Sequence, residues 1–206
     1  DLDNLIRENF AGNIVINEAI LPGVTSDKNQ GENGNICLSD ALNLLKSPSF
    51  ADRELGIHIL TNNNQFIHSD LSSLYFSESD QDIKVGLIKA MASTENPRFF
   101  TALLDAVGVE IGNHCQGNIR RIATCALGRM ISKKHINKEA TKSIIEKLDW
   151  AITKPDDWGL RYSACLALEE ISTNQSTELL TTASRSETDA VVLTRINLAK
   201  GKKVNL

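Results

Sequence analysis

A nine-residue pattern recurs in this chain, and it constrains the fold more than any other feature. Residues 119–127 read Ile-Arg-Arg-Ile-Ala-Thr-Cys-Ala-Leu, and residues 160–168 read Leu-Arg-Tyr-Ser-Ala-Cys-Leu-Ala-Leu. Both fit the pattern aliphatic-Arg-x-x-Ala-x-x-Ala-Leu. Weaker copies begin near positions 52, 83 and 192, so the spacing is about 31 to 41 residues. A period of this length is typical of solenoids built from pairs of helices.

The side chains within the pattern favour helices that pack tightly on one another. The aliphatic positions fall on one face at helical spacing, and the small alanine positions let neighbouring helices approach closely. Aromatic residues make up only 5% of the chain, and Leu, Ile and Ala supply most of its apolar content. Such a composition suits helices better than strands. We therefore predict an all-α fold: an α-solenoid of about five two-helix repeats, with about ten helices and no strand.

The first 36 residues do not carry the repeat. Residues 2–10 predict a short helix, whereas residues 22–35 are polar and rich in Gly and Asn, which predicts a flexible loop. We therefore divide the chain into an N-terminal segment, residues 1–36, and a single repeat domain, residues 37–206.

Residue types that favour helix starts stand in front of several predicted helices. Side-chain oxygens of Asp and Asn accept hydrogen bonds from the first free N–H groups of a helix, and Pro suits the first helical position. The predicted helix-start residues are Asp82, Pro97, Asn137, Asp157, Asn174 and Asp189.

Charge and hydropathy argue against two classes of partner. The net charge is −4 and no Lys/Arg block occurs, which argues against nucleic acid as the main partner. The apolar runs are far shorter than the roughly 20 residues of a membrane-spanning helix. No signal-peptide pattern is present.

The four cysteines do not form a metal-binding pattern. No Cys-x-x-Cys pair occurs and no His stands at zinc-finger spacing, so we predict no metal site. Cys125 and Cys165 lie in apolar helical patterns, and we predict that both are small core residues. Free cysteines of this kind fit a reducing cytoplasm, which is the location we expect.

Residues 113–118, Asn-His-Cys-Gln-Gly-Asn, are the part of the chain that the repeat does not explain. They place an imidazole beside a thiol, and a thiol becomes reactive next to a base or at a helix N-terminus. Adjacent side chains diverge by about 100° in a regular helix, so His114 and Cys115 can cooperate only in a turn. Gly117 permits unusual dihedrals and Asn118 is a good N-cap, so we predict a turn here and a helix after it. A purely structural loop is the alternative.

The repeat resembles the HEAT-like repeat of the E/F phycobilin lyases. Residues 157–164, Asp-Trp-Gly-Leu-Arg-Tyr-Ser-Ala, are similar to the F-type subunits of these heterodimers. The ending at residues 192–199 is similar too, although Leu193 stands where Arg is usual. The resemblance covers roughly residues 50–200. Within it, residues 113–118 resemble an element of the isomerising F-type subunits.

The resemblance implies an enzyme subunit. With an E-type partner, it would attach phycocyanobilin to a cysteine of the alpha subunit of phycoerythrocyanin and isomerise it to phycoviolobilin by moving a double bond. The bilin, an open-chain tetrapyrrole, would be a substrate and not a permanently bound cofactor. The implied location is the cytoplasm, in phycobilisome assembly. Two alternatives remain open: a lyase or chaperone subunit that does not isomerise, and a generic HEAT-repeat scaffold for a protein partner.

The implied chemistry assigns roles to particular side chains. An imidazole can both remove and return a proton near neutral pH, so His114 is the predicted acid/base. A thiolate can add to the bilin and leave again, so Cys115 is the predicted nucleophile or transient anchor.

Further side chains are predicted to contact the bilin: Asn113, Gln116, Asn118, Trp158, Arg161 and Tyr162. The aromatic rings would stack on the flat tetrapyrrole, and the guanidinium would pair with a propionate. Structural roles are the alternative: helix capping for Asn113, Gln116 and Asp157, a bridge between repeats for Arg161, and gap filling for the aromatics.

Overall fold

A computed structural model describes residues 37–62, 71–109 and 114–201 of the chain. Within these ranges it contains ten α-helices and one short 3₁₀-helix, and no strand. For residues 114–116 the helical backbone is described but the side chains are not. Residues 1–36, with their predicted helix and loop, lie outside the described ranges.

The α-helices are numbered here in chain order. Their bounds are α1 Leu38–Leu45, α2 Phe50–Asn62, α3 Leu71–Ser77, α4 Gln81–Thr94, α5 Phe100–Gly108, α6 His114–Ser132, α7 Lys138–Thr153, α8 Trp158–Ile171, α9 Asn174–Ala183 and α10 Ala190–Gly201. The 3₁₀-helix, Pro97–Phe99, leads into α5.

The ten helices pair into five repeats, each with a first and a second helix. The second helices, α2, α4, α6, α8 and α10, contact one another in that order, and each also contacts the first helix of its own repeat. The first helices α3, α5, α7 and α9 contact one another in the same way. The described residues therefore form a two-layer α-solenoid, as the repeat pattern predicts. We call the layers the first-helix layer and the second-helix layer.

Three of the predicted helix-start residues are confirmed. Asn137 accepts a hydrogen bond from the N–H of Ala140 at 2.9 Å, at the start of α7. Asp157 and Asp189 cap α8 and α10 in the same way, each with one Oδ1 atom that accepts two backbone N–H groups.

The other three starts differ by a few residues. Asp80, not Asp82, caps α4, because its extended backbone aims Oδ1 at the N–H groups of the first turn. Thr173, not Asn174, caps α9, since its hydroxyl and that of Ser176 bond reciprocally to backbone N–H groups. Pro97 opens the 3₁₀-helix, and α5 follows at Phe100.

The core lies between the two layers and is built largely from Leu, Ile and Ala. Cys165 is fully buried and Cys125 is 9% exposed, which confirms both as core residues. In the centre of the second-helix layer, α6 and α8 approach so closely that a Cβ atom on Gly128 would lie 2.7 Å from the Cα atom of Ala167. No described helix is both long and apolar enough to span a lipid bilayer.

Ion pairs join successive repeats outside the core. Arg161, in α8, donates two hydrogen bonds to the carboxylate of Glu187, at 2.7 and 3.1 Å. Burial raises the pKa of Glu187, but the hydrogen bonds and charge of Arg161 and the bonds from nearby backbone N–H groups outweigh burial, so the net shift is downward. Glu95, directly after α4, forms ion pairs with Arg129 of α6 and with Lys133, which follows α6.

Gly128→Ala is expected to destabilise the protein, although Ala is the better helix former. The new methyl group would collide with the backbone of Ala167, and overpacking of this kind costs about 1–3 kcal/mol. Gly201→Ala is the matched control, because a Cβ there meets nothing within 4 Å. Urea unfolding measures both free energies of unfolding. A Gly128→Ala variant as stable as the wild type would contradict the close approach.

Arg161→Met is expected to destabilise the protein more at neutral pH than in acid. A carboxylate whose pKa is lowered on folding stabilises the folded state above its unfolded pKa, and this stabilisation is lost as the pH falls. We expect a loss of about 1.5–3 kcal/mol at pH 7 and a smaller loss at pH 3.

Lys142→Met is the control for this experiment, because Lys142 and Glu146 form an exposed pair at 3.9 Å that contributes little. Denaturant titrations of both variants at the two pH values provide the measurement. An equal loss for Arg161→Met at pH 3 and pH 7 would count against the role of Glu187.

Candidate functional site

Helix α6 begins earlier, relative to the repeat pattern, than the other second helices. Those four begin two positions before the first residue of the pattern: Phe50 before Asp52, Gln81 before Ile83, Trp158 before Leu160 and Ala190 before Val192. Helix α6 begins at His114, five positions before Ile119. Residues 114–116 are therefore three additional helical residues, nearly one turn, and we call them the additional turn.

The residue at the shared cap position is of a different type in α6. The other second helices carry an N-cap residue three positions before the pattern, and its side chain accepts at least one backbone N–H group: Ser49, Asp80, Asp157 and Asp189. The same position in α6 holds Gln116. Glutamine is not among the residue types that favour the N-cap position.

The predicted turn over residues 113–118 is therefore wrong for residues 114–118. Asn118 does not cap the helix; it is the fifth residue of α6 and is exposed. The run of helical backbone continues through Gly117, because the following residues are anchored in the core, Ile119 with 1% of its surface exposed. Asn113 lies outside the described residues.

His114 and Cys115 are the first two residues of α6. Successive helical positions are rotated by about 100°, so the two positions do not lie on the same side of the helix. Positions 114, 118 and 121 do share a side, because they are spaced by four and three residues. Cooperation between the two side chains stays a prediction.

Arg121 joins the start of α6 to the start of α8. Its Nη2 atom donates to Oδ1 of Asp157 at 2.9 Å, and both side chains are mostly buried, with 23% and 10% exposed. Gly159 makes room for this contact, since a Cβ atom there would lie 2.4 Å from Cζ of Arg121. Asp157 thus binds Arg121 with the same oxygen that caps α8.

Trp158, the first residue of α8, presents an open aromatic surface beside this ion pair. It is 45% exposed, and the Cζ atom of Arg121 lies 6.0 Å from the centre of its ring, within the range of a cation–π contact. Arg121 was not among the predicted site residues. The alignment of the repeats contains a signal for it, because the residues aligned with Arg121 are Tyr162 in α8 and Val85 in α4. In α6 this position holds Arg, and its side chain lies against Gly159 of the next repeat.

Arg161 and Tyr162 lie deeper than Trp158. Arg161 donates to Glu187, and its Nη1 atom donates to the carbonyl of Pro155 at 2.7 Å, so it bridges repeats. Tyr162 is 4% exposed and offers almost no free ring surface. Of the three predicted bilin contacts in α8, the structure exposes Trp158 alone. Asp157 has the capping role that was the structural alternative.

A polar cleft lies at the same edge of the second-helix layer, in front of α8 and α10. Its volume is about 340 Å³, and its lining includes Lys154, Asp156, Arg161 and Thr188. Across the described residues, no three His, Cys, Asp or Glu side chains are grouped so that they could hold a metal ion. The edge therefore offers an exposed indole, guanidinium groups and a polar cleft.

Comparison with known proteins gives two relatives. The bilin biosynthesis protein PecF of Mastigocladus laminosus is 43% identical over 129 residues, which are 63% of this chain and 60% of that protein. PecF of Nostoc sp. (strain PCC 7120) is 39% identical over 129 residues, 63% of this chain and 74% of that protein. The match thus spans somewhat less than two thirds of the first relative. No protein-family model matches the chain.

The fold is also that of a solved structure. It is the complex of CpcE and CpcF of phycocyanin lyase from Nostoc sp. PCC7120, with a TM-score of 0.66 and 18% identity. The likeness covers 79% of this chain and 97% of that one. At this identity the likeness supports the α-solenoid fold alone. The two PecF relatives confirm the family resemblance that the repeat indicates.

Proposed function

Because this chain belongs to the family of PecF bilin biosynthesis proteins, we propose that it is one subunit of a phycobilin lyase-isomerase. The proposed reaction attaches phycocyanobilin to a cysteine of the alpha subunit of phycoerythrocyanin and isomerises it to phycoviolobilin. The identity of 39% over 129 residues with a bilin biosynthesis protein is the observation that carries the proposal. The bilin is a substrate that leaves on the acceptor protein.

An E-type subunit is the proposed partner. The solved structure of like fold is a complex of two chains, CpcE and CpcF. A two-layer solenoid also leaves the edge at Trp158 open, and a reactive bilin needs shielding from water. A second subunit that covers this edge would complete the site. We propose the cytoplasm as the place where the two subunits and the acceptor meet.

The edge formed by α6 and α8 supports binding of a flat, conjugated molecule. The indole of Trp158 supplies a surface on which a pyrrole ring can stack. Arg121 lies beside it in an ion pair with Asp157, which holds the guanidinium next to the ring. Positions 114 and 118 lie on the side of α6 that carries Arg121. Position 114 is about 10 Å from position 121 along the helix axis, toward the N-terminus. Asn118 is exposed on this side, as a bilin contact requires.

His114 and Cys115 are the proposed catalytic pair. The isomerisation removes a proton from one carbon of the bilin and delivers a proton to another, with no net change in electrons. His114 can perform both transfers near neutral pH. Cys115 stands in the first turn of a long helix, where the N-terminal partial charge favours a thiolate, so a transient thioether is a second route.

Variants of the pair are expected to separate the two routes. Co-expression with an E-type subunit, phycocyanobilin and the acceptor subunit gives a product whose absorption distinguishes phycoviolobilin from phycocyanobilin. His114→Gln should lower the rate of isomerisation about 10²- to 10⁴-fold. Cys115→Ser should abolish it if the route is covalent, and a normal rate would exclude the thioether.

Cys37→Ser is the thiol control for this experiment. Cys37 is exposed, and a serine can keep its contacts with Ser39 and Asp40, so the product should not change. Attached but unisomerised bilin with the wild-type chain would indicate a plain lyase or a chaperone. No bilin interaction at all would leave only a scaffold and would contradict the proposal.

Trp158→Ala is expected to weaken bilin binding by about 3- to 10-fold, as the loss of one stacking surface predicts. Trp150→Ala is the matched control. Trp150 is also exposed, at 37%, and has Arg120 and Lys147 near its ring, but it lies in the first-helix layer. Titration of phycocyanobilin into the complex with the partner, followed by absorption, measures both affinities. Equal losses for the two variants would contradict a bilin site at α8.

A further inference from the structure

We propose that Gln116 is a positioning residue, which creates the additional turn of α6 by withholding the cap that the other repeats supply at this position. The inference rests on the proposed function, because the additional turn matters only if His114 and Cys115 act on the bilin. It concerns where the helix begins and not a ligand that Gln116 would bind.

The other repeats show what a cap at this position does. In α8, Oδ1 of Asp157 accepts the N–H groups of Gly159 and Leu160, and the carbonyl of Asp157 accepts the first helical N–H, from Arg161. Its own backbone is extended, with φ −66° and ψ 98°, so the chain leaves the helix axis at this residue. Asp80 does the same at α4.

The same geometry is reproduced at the two ends of the solenoid. At α10, Asp189 accepts the N–H groups of Val191 and Val192, and its carbonyl accepts that of Leu193. At α2, Ser49 accepts the N–H of Asp52. Four described repeats have a capping side chain three positions before the pattern. In each of them the second helix begins directly after that residue.

A cap competes with the additional turn for the same backbone. The N–H groups of Asn118 and Ile119 can bond either to a side chain at position 116 or to the carbonyls of the additional turn. Gln116 is a good helix former and a poor cap, so the helix continues. Gly117 is a weak helix former, so the extension is sensitive to the residue that precedes it.

The additional turn has a chemical consequence for the two residues it carries. With a cap at position 116, His114 and Cys115 would stand outside the helix, in the connection after α5. Within the turn, their backbone positions are set by α6, which is held by the core on most of its sides. A fixed position matters for proton transfer, because misplacement of a catalytic group by about 1 Å lowers the rate strongly.

Gln116→Asp tests the inference, with Gln116→Glu as the matched control. Both variants add one negative charge, but only Asp is a strong N-cap, whereas Glu keeps helix propensity and favours the first turn. Asp already occupies this position in α4, α8 and α10, so the repeat tolerates it. Each variant is expressed with the E-type partner and the acceptor subunit.

Two readouts are needed. Backbone chemical shifts report whether residues 114–116 are helical, and product absorption reports the phycoviolobilin fraction of the attached bilin. We expect Gln116→Asp to lose the helical shifts and to give an isomerised fraction at least tenfold below that of Gln116→Glu. Gln116→Glu should keep the helical shifts of the wild type.

The outcomes distinguish this inference from the proposed function. Helical shifts that persist in Gln116→Asp overturn the capping argument, and an unchanged isomerised fraction after loss of the turn overturns its role in positioning. An equal loss in Gln116→Glu would show that the charge, and not the cap, is responsible. If the wild-type chain gives no phycoviolobilin, the proposed function fails, and the chemical shifts still decide where the helix begins.

Discussion

The close packing of the second helices is the constraint on which the rest of the structure depends. Helices α6 and α8 meet where Gly128 faces Ala167, with no room for a further methyl group. At the other end of the same contact, Gly159 admits the guanidinium of Arg121. Small residues at both ends of this contact allow α6 and α8 to lie side by side, with their N-termini next to each other. The starts of the second helices then form one edge, and their caps and cross-helix ion pairs line it.

An edge of this kind can vary without loss of the core. The apolar face of each helix is buried between the layers, whereas the residues in front of the helix contribute mainly caps. The central repeat uses this freedom: its second helix starts earlier and carries His114 and Cys115 in its first turn. The neighbouring α8 starts with an exposed Trp158, whose ring lies beside Arg121 of α6. The additional turn and the exposed indole therefore lie on adjacent helices, where a bilin could contact both.

The solenoid could be predicted from the sequence because its signal is repeated. Aliphatic and alanine positions recur in several copies. Burial of those positions determines where the helices form, independently of the sequences of the loops. The bridge between repeats, which was the structural alternative for Arg161, is present, since a charged residue near a helix start in a solenoid can reach the next repeat.

The local sequence predicts the wrong start for α6, because Gly117 and Asn118 by themselves indicate a turn. Both residue types favour turns, but a helix start depends on what caps it and on what holds the following turn. Alignment of the five second helices supplies the missing signal, since Gln116 stands where the others have Asp or Ser. Arg121 was missed for a related reason: its role depends on Gly159 and Asp157 of the next repeat, and no pattern local to α6 contains them.

Amide hydrogen exchange of the chain in complex with its E-type partner, with and without phycocyanobilin, tests the central claim most directly. That claim is that the bilin binds at the edge formed by the starts of α6 and α8. Slower exchange on bilin addition in peptides covering residues 114–121 and 158–165, with no change over residues 190–197 of α10, is the predicted result. Protection confined to α10 or to the first-helix layer, with the start of α6 unchanged, would contradict the claim.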